Sequence, residues 1–194
     1  MGFYDVLASD EWRGAVTWDH MHIFFSDERC VPRDHEESNY RMVREHLFDH
    51  IPVDAARVYP IYDGGMEPER AAEEYEKTMR EVFETPKAPP RFDLILLGVG
   101  EDGHTASIFP GQSTFPKRKL VATTIKDRAR VTFTPELIDE AAHVWMLVTG
   151  DAKAGVVEAI HRRNTVAESY PASLVRPIFG KLTWFLDTGA ASRL

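Results

Sequence analysis

The segment Gly98-Val99-Gly100-Glu101-Asp102-Gly103-His104-Thr105-Ala106-Ser107-Ile108-Phe109-Pro110-Gly111 concentrates the groups best able to do chemistry. Glycines let the backbone approach a ligand closely, and a short helical turn opening behind them presents free N–H groups to an anion or an oxyanion. His104 is the candidate general base, because an ordinary imidazole titrates at about 6.5 and is largely neutral at physiological pH. The plainer alternative is a histidine that only caps the turn; its place in a glycine loop rather than on an apolar face favours chemistry. The same segment begins with a match to G-x-G-x-x-G, and Asp127 follows Gly103 by about twenty residues, as in dinucleotide sites. Pro110, Gly111 and Pro116 argue against that reading, since they leave space for little more than one helical turn where a dinucleotide crossover needs a full helix.

A second polar group follows an apolar run: Ser26-Asp27-Glu28-Arg29-Cys30-Val31-Pro32, then Ser38-Asn39. Arg29 could clamp a phosphate or carboxylate bidentately, with Asp27 or Glu28 orienting it; the alternative is a solvated ion-pair cluster. Lys153 stands in the first turn of a helical segment, where a cation opposes the helix dipole but, with the free N–H groups, makes a site for an anion. Arg130 is open to the same two readings, anion contact or surface charge. Cys30 is the sole cysteine, which excludes an internal disulfide and Cys-pair zinc patterns; a small, half-buried residue is the expectation, not a nucleophile.

These groups need elements to hold them. Expected strands are Met21–Ser26, Arg57–Tyr59, Asp93–Gly98, Lys119–Thr124, Arg130–Phe133, His143–Thr149 and Leu182–Asp187. Expected helices are Ser38–His50 with Ser38 as N-cap, Glu67–Phe83 with Pro68 in its first turn, and Asp151–Arg163, besides a short helical remnant at Phe3–Leu7. The alternation predicts a layered α/β domain with a largely parallel sheet, spanning residues 1–194 as one unit. In open sheets of this class ligands bind beyond the carboxyl ends of the strands, where His104, Arg29 and Lys153 all fall.

The 194 residues are 43% apolar, enough for one sizeable core. With 23 Lys+Arg against 31 Asp+Glu the net charge is −8, which argues against general binding to nucleic acid or anionic lipid. An anionic ligand must then be held by a local cluster of cations. No apolar run approaches the roughly 20 residues of a membrane helix, and the first residues carry no targeting pattern, so a soluble, cytoplasmic chain is expected.

Taken in order, Phe25-Ser26-Asp27-Glu28-Arg29-Cys30-Val31-Pro32 with Ser38-Asn39-Tyr40, the glycine segment from Leu97 to Gly111, Arg130-Val131-Thr132, Gly150-Asp151-Ala152-Lys153 and Tyr170-Pro171-Ala172-Ser173-Leu174 resemble the glucosamine-6-phosphate isomerase/6-phosphogluconolactonase superfamily. The resemblance implies a Rossmann-like three-layer sandwich and, for its lactonase branch, hydrolysis of 6-phosphogluconolactone in the oxidative pentose phosphate pathway, with neither metal nor organic cofactor. It implies His104 as the base for water, Arg29, Arg130 and Lys153 as the cations for phosphate and developing oxyanion, Asp27 and Glu28 as further substrate-site residues, and Gly100, Asp102 and Gly103 as the groups shaping the loop. The amino-sugar isomerase branch continues after its histidine into a Phe-Asn-Glu-Pro type sequence, where Thr105-Ala106-Ser107-Ile108-Phe109-Pro110 stands here. The glutamate of that chemistry is absent, which favours the lactonase; a weakened or non-catalytic phosphosugar-binding paralogue is the other alternative.

Family members begin with a strand and a Ser-Gly-Gly type phosphate loop, and this sequence opens within the helix that follows. The expectation is an N-terminally shortened domain with a weakened phosphate grip and self-association through the strand edge left unpaired.

Overall fold

The computed structural model describes residues 2–112 and 114–194. Among the described residues there are eight strands: β1 (Ile23–Phe24), β2 (Asp27–Arg29), β3 (Val58–Tyr59), β4 (Ile95–Leu97), β5 (Val121–Ile125), β6 (Ala129–Phe133), β7 (His143–Val148) and β8 (Lys181–Leu186). They alternate with helices α1 (Phe3–Leu7), α2 (Asn39–His46), α3 (Pro68–Val82), α4 (Pro135–Asp139) and α5 (Ala154–His161), with short 3-10 turns between. Among the described residues no helix is long and apolar enough to cross a membrane.

The strands form two parallel groups and one antiparallel group. β1 pairs with β3, and β4-β7-β8 make a parallel set in which Ile95 registers with Val144 and Val148 with Leu186. In β7, Val144, Met146 and Val148 face the core fully buried, while Trp145 and Leu147 on the other face are half-covered. That period of two is the signature of a strand with one buried face.

Parallel pairing predominates, as expected, and the β2-β6-β5 group adds an antiparallel part to it. The turn at Lys126-Asp127-Arg128 returns the chain directly from Ile125 to Ala129, and such a short connection permits only antiparallel pairing. β2 is itself unanticipated, because its three charged residues carry no apolar alternation; it forms by pairing with β6, Asp27 opposite Thr132 and Arg29 opposite Arg130. The α4 helix is likewise additional, and the expected helix over Asp151–Arg163 resolves into a 3-10 turn at Asp151–Lys153 followed by α5.

The layers are joined by one cluster of buried side chains reaching from Trp18 to Ala190. α3 carries Ala71, Ala72, Tyr75 and Met79 on its inner face and packs across β5 and β6, while Glu76 and Arg80 pair at 2.9 Å beside that face, Glu76 also accepting from the Leu120 N–H at 3.0 Å. Tyr75 ties α3 to the β1-β3 pair: its hydroxyl accepts from the Phe25 N–H at 2.7 Å and donates to the Tyr59 carbonyl at 3.0 Å. α2 begins as expected, with the Ser38 hydroxyl accepting from the Arg41 N–H at 3.2 Å.

Candidate active site

His104 sits on the loop that leaves β4. Gly100 donates to the His104 carbonyl at 2.8 Å and Gly103 donates to the Gly100 carbonyl at 3.0 Å, closing a tight turn. Both glycines are required by close approach: a Cβ on Gly100 would collide with the His104 ring, and one on Gly103, at φ +80°, would collide with Tyr170. The Tyr170-Pro171-Ala172 segment braces the turn from outside, with the Ala172 N–H donating to the Gly103 carbonyl at 3.0 Å.

Beyond His104 the loop is fastened to the antiparallel strands. Ser107 donates through its N–H to the Thr132 hydroxyl at 3.1 Å and through its own hydroxyl to Asp27 at 2.6 Å, and Thr124 donates to the Ser107 carbonyl at 2.9 Å. Thr105, Ser107 and Thr132 are fully buried, so these bonds are shielded from competing water.

The imidazole has one ring nitrogen committed. His104 Nδ1 lies 2.5 Å from Asp102 Oδ1, which also accepts from the His104 backbone N–H at 3.2 Å. Burial pushes the Asp102 carboxyl upward, but hydrogen bonds from His104 and from Lys126 outweigh it and hold the group well below the ordinary carboxylate range. An ionised carboxylate only accepts, so Nδ1 must carry a proton; in the neutral ring Nε2 then holds the lone pair, and it has no partner among the described residues. The Phe109 ring packs on the imidazole at 5.0 Å between centroids.

Three cations share a cavity with this histidine. Its volume is about 310 Å³, within the lower part of the roughly 300–1,000 Å³ usual for small-molecule sites, and it is lined by Ser26, Asp27, Arg29, Asn39, the Leu97–Gly100 backbone, His104, Ala106, Arg130 and Lys153. Arg29 and Arg130 are direct cross-strand neighbours of β2 and β6. Like charges in that relation repel, an arrangement that an anion lying between them relieves. Arg29 is aimed by Asn39 Oδ1 at 2.5 Å and the Glu37 carbonyl at 3.2 Å; Arg130 is aimed by Asp127 at 2.8 Å, and its buried Nε lacks a partner. In return the Arg130 guanidinium lowers the Asp127 carboxyl to about 2. The Lys153 ammonium, on the 3-10 turn after β7, has no hydrogen bond or ion pair among the described residues.

Glu28 is a correction to the expected substrate-site residues. Side chains alternate along β2, so Asp27 and Arg29 reach the cavity while Glu28 points to the opposite face and is buried. There its two oxygens accept from the Arg29, Asn39 and Tyr40 N–H groups and from the Ser38 hydroxyl at 2.8–3.0 Å, anchoring the start of α2. Asp102 and Gly103 also lie outside the cavity wall; they hold the histidine and the turn. Cys30 is half-buried, and burial, aided by the Glu28 charge, pushes its thiol up to about 11, which leaves it no role as a nucleophile at neutral pH.

Residues that sequence reasoning did not single out are Asn39, which bridges Asp27 and Arg29, Ser107, and Lys126, which reaches Asp102 from the β5–β6 turn. Asn39 and Ser107 stand within the quoted segments, but nothing in their spacing marks them as partners of Asp27. A larger groove, about 610 Å³, runs along α3; its lining mixes Glu73, Glu76, Glu81 and Glu84 with Lys77, Arg80 and Lys119 and includes none of the candidate site residues. Among the described residues no group of His, Cys, Asp and Glu is arranged to hold a metal ion.

Comparison with known proteins places this geometry. The profile of glucosamine-6-phosphate isomerases/6-phosphogluconolactonase matches residues 2–184. A rice protein described as probable 6-phosphogluconolactonase 4, chloroplastic, is 37% identical over 97% of this chain, which spans 62% of that relative's length. A Synechocystis 6-phosphogluconolactonase is 37% identical, covering 98% of this chain and 79% of its own. The solved structure of 6-phosphogluconolactonase from Trypanosoma cruzi superposes with a TM-score of 0.82 at 32% identity, covering 98% of this chain and 79% of its own. With a profile match over nearly all its residues and these relatives, the chain belongs to the glucosamine-6-phosphate isomerase/6-phosphogluconolactonase family.

Proposed function

We propose that the chain hydrolyses 6-phospho-D-glucono-1,5-lactone to 6-phosphogluconate. The observation that carries this reading is one cavity that sets an oriented base, His104 with Asp102 behind it, against three cations, Arg29, Arg130 and Lys153, in a protein of net charge −8. Relatives named 6-phosphogluconolactonase support it. The isomerase alternative is disfavoured because Thr105-Ala106-Ser107 occupies the stretch where that chemistry needs its carboxylate.

In this mechanism His104 Nε2 takes a proton from water as the oxygen attacks the lactone carbonyl carbon. The carbonyl oxygen becomes an oxyanion, stabilised by the fixed cations of the cavity. Collapse breaks the bond between that carbon and the ring oxygen, and the imidazolium returns its proton to the departing ring oxygen. The new carboxyl then ionises. The phosphate contributes by anchoring the substrate at a distance from the reacting carbon, which turns binding energy into orientation.

The test is the rate with freshly prepared lactone against its spontaneous opening. The wild type is expected to exceed the spontaneous rate, and His104→Ala to lose about 10²–10⁴-fold while keeping its circular dichroism spectrum. An unchanged rate in His104→Ala sinks the assignment of the base. Saturable binding of 6-phosphogluconate by calorimetry without any hydrolysis identifies a binding paralogue instead.

A further inference from the structure

Lys126 occupies the tight turn between β5 and β6, remote in sequence from the glycine loop, yet its ammonium meets two groups that both touch His104. Nζ lies 2.9 Å from Asp102 Oδ2, the oxygen not bonded to the imidazole, and 4.7 Å from the centroid of Phe109, whose ring packs against His104. An exposed lysine–carboxylate pair by itself contributes little. Here, however, the Asp102 carboxylate is bonded at both ends, to His104 on one side and to Lys126 on the other, and cannot rotate without breaking one bond. The cation on the ring face holds the second wall of the imidazole in place. Arg130 also lies over Phe109, at 5.5 Å, but its guanidinium is engaged by Asp127.

We infer that Lys126 is a positioning residue, which fixes the ring plane and tautomer of His104 by tying Asp102 and Phe109 to a single point on the β5–β6 turn. Its role in turnover rests on the lactonase reading; its role in orienting the histidine does not. The ammonium acts through Asp102 and Phe109 and is not among the groups lining the cavity, so its removal alters the alignment of the base more than the hold on the substrate.

Two readouts test this on the full chain. In ligand-free protein, long-range ¹H–¹⁵N spectra of the histidine side chains, with His104 assigned by its loss in His104→Ala, are expected to show the Nδ1-protonated tautomer in wild type and in Lys126→Arg, and a mixture in Lys126→Met. In lactone hydrolysis, Lys126→Met is expected to lose about 10-fold in kcat with KM within twofold, and Lys126→Arg to recover most of the loss. A tautomer signature in Lys126→Met identical to wild type overturns the inference. So does an effect confined to KM, which would make Lys126 a substrate contact. If wild type shows the expected tautomers and Lys126→Met the mixture, but no variant hydrolyses the lactone, the orienting role stands and the proposed reaction falls.

Discussion

Arg130 carries the conflict between stability and binding at its sharpest. It faces Arg29 across two strands, its side chain is only 11% exposed, and its Nε is buried without a partner. An unpaired buried donor costs about 1–3 kcal/mol, and the like charge opposite adds to that. The ion pair with Asp127, whose carboxylate is open to water, returns little. Arg130→Gln is therefore expected to raise KM for the phosphorylated lactone about 10-fold, by removing a charge-assisted fork, while leaving the thermal midpoint unchanged or higher. Steady-state kinetics beside a thermal melt decides it: a variant that unfolds earlier with unchanged KM would make Arg130 a structural residue.

At the scale of elements, β2 does two jobs with alternate side chains. Its cavity face presents Asp27 and Arg29; its buried face inserts Glu28 into the start of α2. Burial pushes the Glu28 carboxyl upward even though four donors oppose that shift, a sign of how closely the strand and helix are joined. An amide cannot replace it, because either orientation of the –NH2 group faces two donors. Glu28→Gln is expected to cost about 1–3 kcal/mol of stability, read as a lower midpoint in urea unfolding. An unchanged midpoint would show that β2 and α2 are held by other contacts. The same element explains why Glu28 was misplaced by sequence reasoning: without a recognised strand there is no alternation to separate it from Asp27 and Arg29.

Across the whole molecule, the charge distribution runs against the local site. The chain is acidic overall, but Arg29, Arg130 and Lys153 converge at one cavity. A cationic pocket on an anionic body would draw the dianionic lactone of the proposed reaction only over short range, since mobile ions screen that attraction over about 8–10 Å. Raising ionic strength is expected to increase KM by about 3-fold or more between low and physiological salt while kcat stays nearly constant. Lactone kinetics across a sodium chloride series checks this; a salt-insensitive KM would argue that the cations are already neutralised by the carboxylates of Asp127 and Asp27.

Much was legible in the residues alone. Apolar runs marked β4, β7 and β8, the Ser38 cap and Pro68 marked the starts of α2 and α3, and the ordered polar segments marked His104, Arg29, Arg130 and Lys153, because strand ends and helix starts are written in local periodicity and capping chemistry. The direction of β5 and β6, the existence of β2 and the reach of Lys126 to Asp102 were decided only in three dimensions. Each depends on partners distant along the chain: β2 has no strand pattern of its own and exists through its hydrogen bonds to β6, and Lys126 acquires its contacts only when the β5–β6 hairpin folds over the glycine loop. Local sequence determined which groups could do the chemistry; tertiary packing decided which of them meet, since that depends on pairings no short window of sequence contains.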